Sequence, residues 1–305
     1  MPLPAETSPT AVASRLHVLA AALLFSTGGA AIKACSFDGL QVASLRSGIA
    51  ALALPLLLGA ARRGWGRPRT WLVGVAYAAT LVLFVTSTKL TTAANAIFLQ
   101  STAPLWILVL APWLLAERFR GRDLAFLGVA AAGLTALFAG SAPPSATAPD
   151  PATGNLLALA SSVTWALTIV GLRWLERSGE RGGLAAAAAG NLVAFVVVLP
   201  WAWPLPAAGA LDWLTLGWLG LFQIGLAYLF LTRGLGGVPA LEASLLLLVE
   251  PVLNPLWTWL VHGENPGGWP LAGGALVLAA VAARALLIDA RANVTPPAAG
   301  KPRGP

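Results

Sequence analysis

Charge and cysteine are what this sequence has least of. Asp, Glu, Lys and Arg together make up 10% of its 305 residues. Ordinary soluble domains carry roughly a quarter, so this chain cannot clothe a water-facing surface in the usual way. The single cysteine, Cys35, excludes an internal disulfide framework and any multi-cysteine metal cluster. His17 and His262 are too few and too separated for a histidine metal site. No Gly-x-x-x-x-Gly-Lys phosphate loop, Gly-x-Ser-x-Gly elbow or His-Glu-x-x-His pair occurs, so no catalytic residue, metal or cofactor is expected. The glycine-rich stretch Gly234-Leu235-Gly236-Gly237 joins two apolar runs rather than a strand to a helix.

What the chain has in quantity is apolar sequence, 57% of its residues. Runs of about 20 such residues recur along nearly the whole length, and each can cross a bilayer. The pattern predicts an all-α integral membrane protein of about ten spans, at roughly 16–35, 40–60, 70–90, 93–115, 122–140, 154–175, 184–204, 212–232, 240–262 and 269–289. The first run is followed at once by further spans and lacks a cleavage pattern at Lys33, so it reads as a span rather than a leader. Connectors carry breakers or charge, as at Arg62-Arg63-Gly64. The Pro-, Ala- and Ser-rich segment Ser141–Thr153 reads as a flexible polar link between two halves. The tail after Asp289 reads as disordered. Arginine far outnumbers lysine beside abundant Ala, Gly and Pro, which suits a GC-rich bacterial genome and hence a bacterial inner membrane.

A net charge of +7 would fit nucleic acid, but the placement of the basic residues gives a better account. With both termini in the cytoplasm, all of the 19 basic residues except Lys33, Arg46 and Lys89 fall in cytoplasmic segments, as the positive-inside rule requires. The reverse orientation would put nearly all of them outside.

Setting Pro104 against Pro251 aligns two copies of one pattern. Ala96-Ile97-Phe98-Leu99 meets Ala243-Ser244-Leu245-Leu246, and each proline is followed thirteen residues on by a glutamate, Glu117 or Glu264. Gly121 then matches Gly268, while Arg46 precedes Pro55 as Asn191 precedes Pro200. Five spans per copy is an odd number, so the second copy must enter the membrane inverted. The charges agree: basic loops follow helices two and four of the first half, and their counterparts around Trp201–Asp212 and His262–Gly268 hold no Lys or Arg. This division gives an N-terminal tail (1–15), a first repeat (16–140), a periplasmic linker (141–153), a second repeat (154–289) and a cytoplasmic tail (290–305). Inverted repeats place a substrate site near mid-membrane, where the halves meet.

Over about 16–289 the chain resembles the EamA-domain transporters of the drug/metabolite transporter superfamily. The residues that carry the resemblance are Leu24-Phe25-Ser26-Thr27-Gly28-Gly29, Leu45-Arg46-Ser47-Gly48, Ser162-Val163-Thr164-Trp165-Ala166, and the segments Ala103-Pro104 to Glu117 and Glu250-Pro251 to Glu264. Phe25-Ser26 stands where such proteins usually carry a tryptophan, which Trp165 keeps in the second copy. The resemblance implies export or exchange of small metabolites, amino acids among them, with no enzymatic activity.

Glu250 is the most informative residue. A charge at mid-span costs roughly 2.5–3.5 kcal/mol on insertion scales, so it faces the bundle interior. There it either serves a polar site, with protons a candidate coupling ion, or is protonated and bonded to a neighbouring helix. Pro104, Pro251 and Pro255 each remove a helix bond and displace a carbonyl four residues back, which is expected to kink their spans. Arg46 either attracts a substrate carboxylate, pairs with Glu250 or another acid, or snorkels outward; Lys33 and Lys89 read as snorkelling. Asn95, Gln100, Ser101, Trp165, Gln223, Tyr228 and Asn254 complete the candidate binding set, with Thr164 and Asn191 further polar residues near mid-span. Other tryptophans, such as Trp201, Trp203, Trp213 and Trp269, read as an interfacial belt. Glu117, beside Arg118, Arg120 and Arg122, reads as part of an exposed cytoplasmic ion-pair cluster; a gate in which Glu117 and Glu264 tether helix ends in one state is the alternative. The expected activity is secondary transport of a small molecule by alternating access. A channel, or less readily a membrane-embedded enzyme, is the rival reading, and monomer and homodimer are both compatible with ten spans.

Overall fold

The structure, a computed structural model, describes residues 11–62, 64–107, 121–139, 143–177, 182–235 and 246–292. Glu117, Arg118, Arg120, the start of the ninth expected span and both chain tails (1–10 and 293–305) lie outside the described residues. Everything regular among the described residues is helical, apart from one isolated bridge between Ser145 and Ala148.

The first span is two helices, α1 (Ala11–Ser26) and α2 (Gly28–Ala34). They meet at Thr27, whose hydroxyl donates back to the Leu24 carbonyl at 2.7 Å. α3 (Gly39–Leu57) starts where Asp38 forms a reciprocal cap with Gln41: Gln41 N donates to Asp38 Oδ1 at 2.8 Å and Asp38 N to Gln41 Oε1 at 3.1 Å. Two orphan amides are satisfied by that exchange. α4 (Pro68–Leu90) opens on a proline, whose missing N–H costs nothing there. α5 (Ala93–Gln100) is capped by Thr92, gives way to a turn at Ser101-Thr102, and resumes helically over 103–107. α6 (Gly121–Ala139) ends the described part of the first half.

The second half runs α7 (Pro151–Arg177), α8 (Gly183–Ala202) and α9 (Ala210–Gly217). A π-helical stretch, Trp218–Leu226, continues α9 into α10 (Ala227–Leu235). α11 (Val249–His262) stops at Gly263, whose φ of 65° is left-handed, the conformation glycine adopts without a Cβ penalty. α12 (Gly268–Ala292) is last.

Six of the described stretches are long and apolar enough to cross a membrane: Val12–Ala34, Gly39–Leu57, Pro68–Leu90, Pro151–Leu172, Gly183–Ala202 and Ala210–Leu231. Gly128–Ala139 and Gly268–Ala283 are apolar but shorter. Large apolar side chains, Leu52, Leu56, Leu72, Val196 and Trp201 among them, are exposed on the outside of the bundle, as a lipid-facing surface requires.

Helix pairing follows an approximate two-fold pattern. α3 packs on α8 and α6 on α12, while α4 packs on α7 as α10 packs on α1. Between such helices lipid supplies no hydrophobic drive, and close backbone approach through small residues provides the packing. Gly74 of α4 and Gly190 of α8 meet backbone to backbone, so a Cβ built on Gly190 would lie 2.6 Å from the Gly74 carbonyl oxygen. Gly133 and Gly273 meet likewise across α6 and α12. In the Pro104–Pro251 register their counterparts are Ala280 and Phe126, which share one buried cluster.

Two sequence expectations change here. Residues 143–150 are not a free linker: Ser145 and Ala148 exchange backbone hydrogen bonds of 2.9 and 3.1 Å, and Asp150 N donates to the Leu90 carbonyl at 3.0 Å. The proline helices are broken rather than kinked at mid-span. The turn at Ser101-Thr102 precedes Pro104, and the turn at Leu248 precedes Pro251 at the equivalent repeat position. Pro251 thereby lies in the first turn of a new helix, where it displaces no bond.

Gly190→Ala is expected to lower stability by about 1–3 kcal/mol, because the methyl meets backbone that cannot turn aside. Gly66→Ala, with no atom within 4 Å of its Cβ, is expected to leave the thermal unfolding midpoint in detergent unchanged.

Candidate functional site

The breaks in α5 and α11 open a cavity of about 280 Å³ in the bundle. Gln100, Ser101 and Pro104 form one side, Glu250 and Pro251 another, and Arg46, Trp165, Gln223 and Tyr228 close it from α3, α7 and the α9–α10 segment. Nine residues named from the sequence therefore share one wall. Asn95, Asn254 and Pro255 do not line it.

Arg46 reaches this place because small residues let three helices close around it. A Cβ on Gly48 would lie 2.8 Å from Phe195, and one on Gly220 would lie 2.6 Å from Ile49 and 2.9 Å from the Arg46 carbonyl oxygen. The residue is 2% exposed and faces the cavity inside the bundle, which overturns the snorkelling reading. Its Nη1 is 3.5 Å from Gln223 Oε1 and its Nε has no partner. Glu250 lies in the first turn of α11, where the helix dipole favours negative charge. Both charges face the cavity, yet no ion pair joins them among the described residues. A buried guanidinium with an unused donor favours an anionic group in the space beside it.

The rest of the lining is mainly apolar, aliphatic and aromatic, and four of the cavity's rings form a row. Phe25 meets Tyr228 edge-on at 5.6 Å, Tyr228 meets Tyr77 at 6.0 Å, and Tyr77 meets Trp165 at 6.3 Å, all measured between ring centroids. Phe25 thus supplies a ring on the first span, as Trp165 does on its counterpart. The sequence reading named Phe25 only within a motif and did not name Tyr77, so neither was among the candidate binding residues. Scarcity could have pointed to Tyr77, since the chain holds only 2 tyrosines and both line the cavity.

The polar residues that miss the cavity are structural. Asn95 Nδ2 donates to Asn155 Oδ1 at 3.3 Å, which also accepts from Thr91 Oγ1 at 2.7 Å. Asn254 lies against Gly29, where a Cβ would fall 2.1 Å from its Oδ1. Asn191 donates to the Ala187 carbonyl of its own helix at 2.9 Å, and Thr164 accepts from Thr80 Oγ1 at 2.9 Å. Two related bonds join the halves near the cavity. Trp106 Nε1 donates to Ser162 Oγ at 2.7 Å, and Trp257 Nε1 to Ser26 Oγ at 2.9 Å. Each serine passes its own proton to the carbonyl three residues back.

At one end of the bundle Lys33 departs from expectation. Lys33 Nζ lies 2.7 Å from Glu264 Oε2, each side chain 3% exposed, and it also donates to the Thr91 and Thr147 carbonyls. Lys89 donates to the Cys35 carbonyl. Both ammonium groups are therefore held by protein acceptors at this end of the bundle. Trp201, Trp203, Trp213 and Trp269 are exposed as an interfacial belt requires.

Apolar helices in two pseudo-symmetric halves, broken around a cavity that holds an arginine and a glutamate, match the architecture of many membrane transporters. The chain belongs to the EamA-like transporter family, whose profile matches residues 14–139 and again 152–284, and so to the drug/metabolite transporter superfamily. No curated protein matches it. One solved crystal structure shares 22% identity over 93% of this chain and 99% of its own, with a TM-score of 0.60, which supports the fold alone.

Asn95→Ala is expected to cost about 1–3 kcal/mol of stability through the lost buried hydrogen bond, seen as a lower unfolding midpoint, with transport per folded molecule unchanged. Trp165→Ala is expected to do the reverse: near-normal stability and impaired transport in proteoliposomes.

Proposed function

We propose that this protein is a secondary transporter that moves a small amphipathic metabolite, with L-amino acids the leading class, outward or in exchange across a bacterial inner membrane. Ten spans form five plus an inverted five, divided as the sequence divides them (16–140 and 154–289), with both termini cytoplasmic. The two-fold helix pairing, the equivalent breaks before Pro104 and Pro251, and the one-sided distribution of arginine support this arrangement. The halves expose one central site to either side in turn. Asn95, Asn254 and Pro255 fall outside that site and support its walls.

The observation that carries the reading is the cavity's combination of a buried arginine, a half-buried glutamate not paired with it, and a row of rings. Arg46 receives a carboxylate, Glu250 faces an ammonium group or exchanges a proton, and Phe25, Tyr77, Trp165 and Tyr228 take the apolar part. A volume of about 280 Å³ suits such a molecule and is below the usual range for drug-sized ligands.

The test is uptake of a panel of labelled proteinogenic L-amino acids into proteoliposomes at several pH values. Saturable uptake of at least one is expected. Arg46→Gln should weaken it at least about tenfold, the value of one charge-assisted hydrogen bond of roughly 1.5–3 kcal/mol, and Glu250→Gln should flatten its pH profile. Normal transport with an unchanged pH profile in Glu250→Gln would remove Glu250 from the mechanism, and flux that never saturates would favour a channel.

A further inference from the structure

The cavity does not use the buried ion pair at the end of the bundle. Lys33 is in the last turn of α2, and Glu264 lies just beyond the end of α11. Four separate stretches of chain converge on them. Glu264 Oε1 accepts from the backbone N–H of Ala93, the first residue of α5, at 2.6 Å. Lys33 reaches the carbonyls of Thr91, at 2.9 Å, and of Thr147 in the segment between the halves. The pair therefore ties together the ends of α5 and α11, the two broken helices that line the cavity, and fastens both to the first span.

Taking two charges out of water is costly, and well-packed apolar residues at such a place are often as stable or more so. What an ion pair adds is reversibility. Once water enters, each charge regains hydration, so the closed, dry arrangement and an open, wet one lie close in free energy. An apolar plug has no such compensation.

We propose that Lys33 and Glu264 form a latch that closes the transport pathway at this end of the bundle and parts when the cavity opens there. The proposal rests on the transporter reading. It adds to that reading the gate, the residues that form it and the helices it holds. The two partners come from opposite halves, so movement of one half against the other strains this contact directly.

The test needs no substrate. Cys35 is the chain's single cysteine, so a Cys35→Ser background carrying Ser101→Cys places one thiol in the cavity wall. Its rate of modification by a membrane-impermeant maleimide is measured from each face, in right-side-out and inside-out vesicles. With the pair intact, labelling from the Lys33 face is expected to be slow. Glu264→Gln should raise it about tenfold, a shift typical of coupling between two states, and slow labelling from the opposite face. The exchange Lys33→Glu with Glu264→Lys should restore closure only in part, because the Thr91 and Thr147 carbonyls accept from an ammonium and the Ala93 amide donates to a carboxylate. Lys33→Met with Glu264→Met should fold stably and label slowly from the Lys33 face, with transport of any amino acid carried by the parent protein depressed. Unchanged labelling from the Lys33 face in Glu264→Gln, with normal thermal stability, would overturn the latch and leave the transporter reading intact. Rapid labelling from both faces with the pair intact would overturn both, since it describes a continuous pore.

Discussion

The hydrocarbon interior of a membrane offers no water, so every backbone amide and carbonyl within it must find its partner in the protein. That constraint forces the chain into helices and gives meaning to each place where a helix is interrupted. At the turn in the fourth expected span, short hydroxyl side chains add a second donor to carbonyls that already accept the backbone N–H groups of Ser101 and Thr102: Ser101 Oγ donates to Ile97 O at 2.7 Å and Thr102 Oγ1 to Leu99 O at 2.6 Å. Thr258 does the same beside Pro255, donating to the Asn254 carbonyl at 2.9 Å. The π-helical stretch Trp218–Leu226 is a further interruption, and it carries Gln223 toward Arg46. Irregular backbone at membrane depth is tolerated only where it is buried or lines a cavity, and here the breaks at Ser101 and Leu248 do line one.

The same constraint governs the side chains. Arg46 has one long contact to Gln223, whereas Lys33 Nζ has three oxygens around it, one of the Glu264 carboxylate and the carbonyls of Thr91 and Thr147. This difference separates their roles. A buried cation with spare donors facing a cavity has capacity left for a ligand, and one whose donors are all engaged holds elements together. Glycine and alanine make both arrangements possible: Gly48 and Gly220 let the helices close around Arg46, and the Gly74–Gly190 and Gly133–Gly273 approaches join helices without filling the centre.

Much of this was legible in the sequence, and the rest was hidden for identifiable reasons. Apolar runs, the duplicated proline segments and the arginine distribution gave the helical class, the two copies and a cavity at Pro104 and Glu250-Pro251, because each is a one-dimensional pattern. Snorkelling logic missed the burial of Lys33 and Arg46. Distance from a span's end describes how near the interface lies, but not whether a neighbouring helix offers an acceptor closer still. Asn95 and Asn254 lie at the right depth yet belong to the packing, since depth fixes height along a helix and leaves direction around it open. The linker composition suggested freedom, whereas Lys33 and Leu90 fasten it through its backbone, a contact no composition reveals.

Among the described residues, a largely apolar cavity holding Arg46 and Glu250 lies between two related halves, bounded by broken helices whose ends are joined by a buried charge pair. The central claim is that a single site serves both faces in turn. Counterflow tests it most directly: proteoliposomes loaded with an unlabelled L-amino acid that the protein carries are diluted into a trace of the same labelled compound. The account predicts a transient accumulation of label above the external concentration, driven by exchange through one alternating site. Label that only equilibrates, at a rate indifferent to the internal load, would contradict it.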